Sequence, residues 1–203
     1  MRSLLLLVDL RTISQKEQIM VCLDEELTLT EHWVPNEFLI RQSCQDWELQ
    51  GAMALRRAVF CIEQGIFERD DRDGIDDHCT HLVAMTCQAG MPDQIIGTVR
   101  IHEQAPGVWW GSRLAVHPSF RSQGHIGVTL IKLAVSRAHA LGCHQFMAHV
   151  QLQNGDLFKK LHWSEHDKVF IHGRPHLEMS ADLKAYPPCH DPISGFVTRS
   201  KTL

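Results

Sequence analysis

The chain reads as an α+β domain, a mixed, mostly antiparallel sheet flanked by helices, and three observations lead there. Three strand-like runs, His81–Cys87, Gln94–His102 and Trp109–Val116, succeed one another with turn residues between them, as an antiparallel meander requires. A glycine-punctuated loop from Val116 to Gly127 then opens into the amphipathic run Val128 to Leu141. The alternating run Gln145–Gln151 follows, and a strand reached through a helix can lie parallel to the strand it left.

Residues 1 to 36 carry no clear apolar period and read as a leader. From Glu37 the run Phe38-Leu-Ile-Arg-Gln reads as a first strand, and Asp46 is a candidate N-cap for the helix that follows. Trp47, Ala54, Leu55, Ala58, Val59 and Ile62 hold helical spacing up to Gly65, with Arg56, Arg57 and Glu63 on the polar face. Gly90-Met-Pro-Asp and Pro106-Gly107 mark the two meander turns. Leu130, Ile131, Ala134, Ala138 and Leu141 recur at three- and four-residue spacing, and Gly142 stops that helix. Asn154 to Trp163 predicts a short helix, and Val169 to Leu183 a hairpin around Gly173-Arg-Pro. Beyond Leu183 the absence of any period predicts a tail.

Bulk properties narrow the function. A length of 203 residues suits one domain with short extensions. The run Leu4 to Val8 is too short for a membrane span or a signal-peptide core, so no membrane partner is expected. A net charge of −4 with interspersed signs gives no ground for nucleic acid. Seven scattered cysteines without a C-x-x-C pair suit free thiols in a reducing cytoplasm. Cys61 reads as a small buried hydrophobe. The 14 histidines and the patch His78-Cys79-Thr80-His81 lack the separated second pair of a structural zinc site, so no metal is expected.

Two stretches carry chemistry. The loop Arg121 to Gly127 ahead of a helix presents unpaired backbone N–H groups and the positive end of the helix dipole, a site for phosphate or pyrophosphate. No lysine follows the last glycine, which excludes a P-loop. The second stretch, Glu68 to Asp77, crowds carboxylates around Gly74. An EF-hand fails, because counting from Asp71 the glycine falls fourth instead of sixth. The segment reads either as a solvated acidic loop with Arg69 and Arg72 as local partners, or as an electrostatic funnel for a cationic substrate.

Arg121-Ser-Gln-Gly124 followed by Ile126-Gly127, with Leu114-Ala-Val-His-Pro before it, resembles the pyrophosphate loop and fourth strand of the GCN5-related N-acetyltransferase (GNAT) superfamily. Leu55-Arg-Arg-Ala-Val-Phe-Cys-Ile-Glu-Gln-Gly resembles that family's substrate-side helix, and Asn154 to Trp163 stands where the family has Asn…Tyr-x-x-x-Gly-Phe. More narrowly, Ala148-His-Val-Gln with His172-Gly-Arg-Pro-His is similar to an acetyltransferase-like group of bacterial nitrilase gene clusters. The resemblance implies an acyl-CoA N-acyltransferase fold over residues 37–184, with 1–36 as leader and 185–203 as tail. Two departures stand out: one residue more than Gly-x-Gly lies between Gly124 and Gly127, and Phe158 replaces the usual general-acid tyrosine, Tyr186 being the only tyrosine.

The implied reaction is attack of a small-molecule amine on acetyl-CoA, a cytoplasmic N-acetyltransferase activity on a metabolite or amino-acid-like acceptor; a homodimer is compatible with it. On this reading Leu114, Ala115 and Val116 pair with the pantetheine arm, an amide of the strand near Val116 stabilises the oxyanion, and Asn154 contacts the arm. Arg121, Ser122, Gln123, Gly124, His125, Ile126 and Gly127 hold the pyrophosphate. The base is expected to be Glu103, with His117 and His102 as further candidates, while His149 and His172 read as hydrogen-bonded sheet residues. Two other functions fit parts of the sequence: a non-catalytic acetyl-CoA-binding regulatory module, favoured by Phe158, and an acyl-homoserine-lactone synthase, opposed by the loop Arg121 to Gly127.

Overall fold

The computed structural model describes residues 36–123 and 125–199 of the chain; the expected leader and Gly124 lie outside them. In chain order the elements are β1 (Glu37–Gln42), α1 (Asp46–Arg56), β2 (Thr80–Gln88), β3 (Met91–Ala105), β4 (Val108–Val116), α2 (Ile126–Ala140), β5 (Gln145–Gln151), α3 (Gly155–Lys160), β6 (Trp163–Ile171), β7 (Arg174–Ala181) and β8 (Phe196–Arg199). The eight strands form one sheet ordered β6-β7-β5-β4-β3-β2-β1-β8. Every neighbouring pair is antiparallel except β4 and β5, which α2 connects in parallel. This is the predicted mixed, mostly antiparallel sheet.

Helices cover both faces because alternation buries both. On one face α2 sets Leu130, Ile131, Leu133, Ala134 and Ala138 against Ile96, Val99, Ile101, Trp109 and Phe146. On the other, Ala52, Leu55, Val59 and Phe60 pack on Val83, Met85, Ile95 and Ala115. The close approach of α2 depends on Gly97: a Cβ there would lie 2.9 Å from Leu130 Cδ1 and 3.2 Å from Ile126 Cγ2.

Local details depart from expectation in three places. Gln45, not Asp46, is the N-cap of α1, and it forms a capping box with Glu48. The helix then loosens into a π-helical turn, Arg57–Glu63, before Gly65 reverses the chain. The first meander turn is Ala89-Gly90, both at positive φ, so Met91, Pro92 and Asp93 already belong to β3.

Residues read as a tail are held in the fold. Phe196–Arg199 pairs with β1, Tyr186 is buried, and the Cys189 amide donates to Ser136 O at 2.9 Å. The partner of β8 is distant in sequence, and its approach needs Gly195, at φ +62, where a Cβ would meet Ile40 O at 2.2 Å. No helix of the described residues is long and apolar enough to cross a membrane.

Candidate active site

The site begins where two strands part. β4 and β5 pair in parallel from Val108↔Gln145 to Gly111↔Ala148 and then separate. A bulge drives the separation: between Thr98 and Arg100 on β3, β4 advances three residues, from Ala115 to Ser112, and Arg113 takes φ +55. The gap opens a cleft of about 950 Å³ through the sheet. Ile131, Ala134, Phe146, Phe158 and Trp163 make its apolar wall on the α2 side, while Phe67, Arg100, His102, Trp110, Arg113 and His149 line the opposite side.

Leu114, Ala115 and Val116 line the cleft on the edge of β4 that β5 no longer covers. Among the described residues that edge has no strand partner, so its amides and carbonyls face the cleft, an edge on which an extended amide-bearing chain can pair. The strands part directly after Gly111, so the vertex lies near Ser112 and not near Val116, where the oxyanion amide was expected.

At the mouth, His125 and Ile126, the residues between Gly124 and Gly127, belong to the helix start. The helix starts earlier, with His125 as N-cap and Gly127 already inside the first turn of α2. Of the expected phosphate-binding amides, Gln123 N is bonded to Phe120 O, and His125 N and Ile126 N to Gln123 O, at 2.6–3.2 Å. The Gly127 amide has no acceptor among the described residues and lies in the cleft lining, and no side chain caps the helix. Ser122 and His125 are exposed outside the cleft, and Ile126 is buried in the core. Of the expected phosphate-binding residues, Gly127 in the opening turn of α2 and Arg121 beside it are the ones that line the cleft.

Arg121 lines the cleft but already has partners. Nη1 and Nη2 each donate to Glu63 at 2.6 Å, and Nε donates to Val116 O at 3.0 Å. The hydrogen bonds from Arg121 in turn hold the Glu63 carboxyl below its usual range. Asn154 lines the cleft as N-cap of α3, and its side chain makes no capping bond, which leaves the amide group for a ligand.

Neither expected catalytic residue faces the cleft. Glu103 stands opposite Trp109 in the β3–β4 register, on the same face as Ile101, and its Oε1 accepts from the Gly107 amide at 2.7 Å in the hairpin turn. Strand alternation puts its neighbours His102 and Gln104 in the cleft instead. His117 caps the turn Pro118–Phe120, its Nδ1 accepting from Ser119 N at 3.3 Å.

The acidic stretch divides: Glu68, Asp70 and Asp77 are exposed, as in a solvated loop, while Asp71 and Asp76 turn inward. Asp71 and the side chain of Asp76 are 1% and 3% exposed, and Arg56 and Arg100 are 0% and 2% exposed. Arg56 Nε donates to Asp71 at 2.8 Å and its Nη1 to Asp76 at 2.6 Å, while Arg100 grips Asp73 through both Nη atoms at 2.7 and 2.8 Å. Arg113, lying 4.8 Å over the Phe67 ring, joins Asp71 and Asp73. Burial alone would raise the Asp76 carboxyl, but hydrogen bonds from Arg56, the Asp73 amide and Arg100 hold it well below the usual carboxylate range. Three arginines balance three carboxylates, and this cluster braces the bulge that opens the cleft.

Asp76, Cys79 and His81 bring ligand atoms within 4.8 Å of one another. A cation there would have to displace Arg56 and Arg100 from Asp76, and burial pushes the Cys79 thiol up to about 11. Tyr186 is equally unsuited to acid catalysis at the cleft: its hydroxyl is tied to Leu161 O and to Trp163 Nε1 inside the core, and burial raises it. Phe158 occupies the cleft wall, edge-on to Trp163 at 5.0 Å.

The comparisons with known proteins identify the family. The model of the acetyltransferase (GNAT) family matches residues 10–163. The chain belongs to this family. Among solved structures, a Lactobacillus plantarum protein described as a candidate N-acetyltransferase is similar at 26% identity and TM-score 0.64, covering 72% of this chain and 98% of that one. ElaA of Escherichia coli is similar at 17% identity and TM-score 0.58, covering 71% and 98%. BjaI, a CoA-dependent acyl-homoserine lactone synthase solved with SAM and isopentyl-CoA, shares the fold at 14% identity and TM-score 0.62, covering 78% and 94%. Among curated proteins no sequence matches significantly. Membership of the GNAT family makes this chain an acyltransferase by class.

Proposed function

We propose that the chain is an N-acetyltransferase that moves the acetyl group of acetyl-CoA to the amine of a small metabolite or amino-acid-like acceptor. The observation that carries this reading is the parting of β4 from β5 beside the open first turn of α2. Leu114 to Val116 offer a free strand edge to the amide-bearing arm, Asn154 faces them, and the Gly127 turn with Arg121 suits the pyrophosphate. The apolar wall from Ile131 to Trp163 excludes water from a thioester, and holding amine and thioester together supplies much of the rate by proximity. The free thiols of the described cysteines suit a reducing cytoplasm.

Calorimetric titration with acetyl-CoA, followed by a thiol-release assay across pooled primary amines, tests the reading. Gly127→Glu is the informative variant, because a Cβ there meets nothing closer than Val116 Cγ2 at 3.7 Å and the fold survives it. A like charge about 4 Å from a phosphate costs roughly 1–4 kcal/mol, so Kd for acetyl-CoA should rise at least about fivefold. Unchanged affinity would remove the cofactor assignment. Binding without CoA release from any amine would instead identify an acetyl-CoA-binding module.

A further inference from the structure

With Glu103 turned to the far side of the sheet, the cleft needs another proton acceptor, and its lining supplies few. Asp73 is saturated: a carboxylate accepts about four hydrogen bonds, and Asp73 takes them from Arg100 twice, Arg113 and the Ile75 amide. His102 is 8% exposed, and burial, with Arg100 and His78 nearby, lowers its affinity for a proton. His172 lies at the β6–β7 turn with its ring against Phe67, and His176 stands opposite Gln151, two residues beyond His149 along β5.

His149 is placed differently from all of these. It is the first residue of β5 after the last parallel pair, Gly111↔Ala148, and so stands at the vertex of the cleft. Its ring lies 4.7 Å from that of Trp110, which lines the cleft beside it. Its Nε2 is 3.4 Å from Glu178 Oε2, on the directly opposed residue of β7. About a third of each side chain is exposed, so solvent can exchange the proton.

Resting on the acetyltransferase reading, we propose that His149 is the catalytic base of this site and that Glu178 is its positioning residue. When the 3.4 Å approach closes to a hydrogen bond, Glu178 holds the proton on Nε2, fixes the orientation of the ring and leaves the Nδ1 lone pair for the acceptor. The ammonium first gives a proton to Nδ1, directly or through one water, and the partly exposed ring passes it to solvent. The freed amine nitrogen then forms its bond to the thioester carbonyl carbon and gives its second proton to Nδ1. The C–S bond then breaks, the sulfur keeps the electron pair, and the proton returns from His149 through water to the thiolate. The products are an amide and a free thiol. This sequence calls for no tyrosine, in keeping with Phe158 in the wall.

The test uses the purified full chain, acetyl-CoA, a pooled primary-amine panel, and hydroxylamine as an acceptor that is unprotonated at neutral pH. For primary amines at pH 7, His149→Ala should lower kcat by about 10²–10⁴-fold and leave the KM for acetyl-CoA within about twofold. Added imidazole should restore part of the rate, and with hydroxylamine the loss should shrink towards tenfold or less. Glu178→Gln should lower kcat less than His149→Ala and add nothing in the double variant, while Glu178→Asp recovers part of the rate. A His149→Ala enzyme within threefold of the parent on primary amines overturns the assignment. So does Glu178→Gln acting fully in the His149→Ala background, which would make its role structural. If acetyl-CoA binds but no acceptor releases CoA, the base assignment falls and the cofactor site stands; if acetyl-CoA does not bind, the acetyltransferase reading falls as well.

Discussion

Asp76→Asn removes one charge from the buried cluster while keeping its shape. The Asp76 carboxylate accepts from Arg56 Nη1 at 2.6 Å and Nη2 at 3.0 Å, and from the Asp73 amide at 3.1 Å, and it lies 2.9 Å from Arg100 Nη1. Asparagine leaves two guanidiniums, 0% and 2% exposed, facing a neutral amide. Stranding buried charge by removing one partner costs about 3–5 kcal/mol. For a domain of this size that corresponds to a fall in Tm of about 6–20 °C. Scanning calorimetry and urea unfolding at pH 7 measure it, with exposed Asp77→Asn as a control expected within about 0.5 kcal/mol of the parent.

The sign of the pH dependence gives a second check. The Asp76 carboxyl titrates lower in the folded chain than the ordinary value of about 3.9. Its contribution is therefore complete above that value and fades as pH falls further, because the unfolded chain takes up the proton first. The gap between parent and Asp76→Asn should be constant from pH 7 to about pH 5 and narrow below about pH 4. A deficit under about 1 kcal/mol at pH 7, the scale of an exposed ion pair, would refute the claim that this cluster braces the β4 bulge.

Two further outcomes follow from packing and charge. Gly97→Ala sets a methyl against Leu130, Ala84 and Ile126 at 2.9–3.2 Å, so unfolding free energy should drop by about 1–3 kcal/mol in urea titration; an unchanged midpoint would mean that α2 shifts without cost. Glu63→Gln unpairs Arg121 at the cleft mouth. Since both side chains are more than one-third exposed, the gain is modest: acetyl-CoA should bind about two- to fivefold tighter at low salt, with the gain lost at high ionic strength. Weaker binding by calorimetry would show that Glu63 helps to shape the site.

Much of the site is legible in the alternation of the strands. Val99 and Ile101 are buried against α2, so parity puts Glu103 on their face and His102 on the other. Family position points to Glu103, and the strand's period of two points the other way. The same parity sets Trp110 and His149 in the cleft on adjoining strands. The acidic stretch had no comparable signal. Its arginine partners come from α1, β3 and β4, and helical spacing had assigned Arg56 to a solvent face that tertiary packing turned inward.

The sequence by itself determined what depends on neighbours along the chain: the meander, the parallel return through α2, the glycine-bearing turn before that helix, and the family. Propensity, periodicity and turn chemistry act over a few residues, so they survive in a linear reading. Tertiary structure alone decided what depends on convergence. It placed β8 on β1, drew six charges into a balanced cluster, parted β4 from β5 after Gly111, and brought Glu178 to His149. Each of these contacts joins residues far apart in sequence, and their energies come from burial and charge pairing, which exist only once the chain has closed around them.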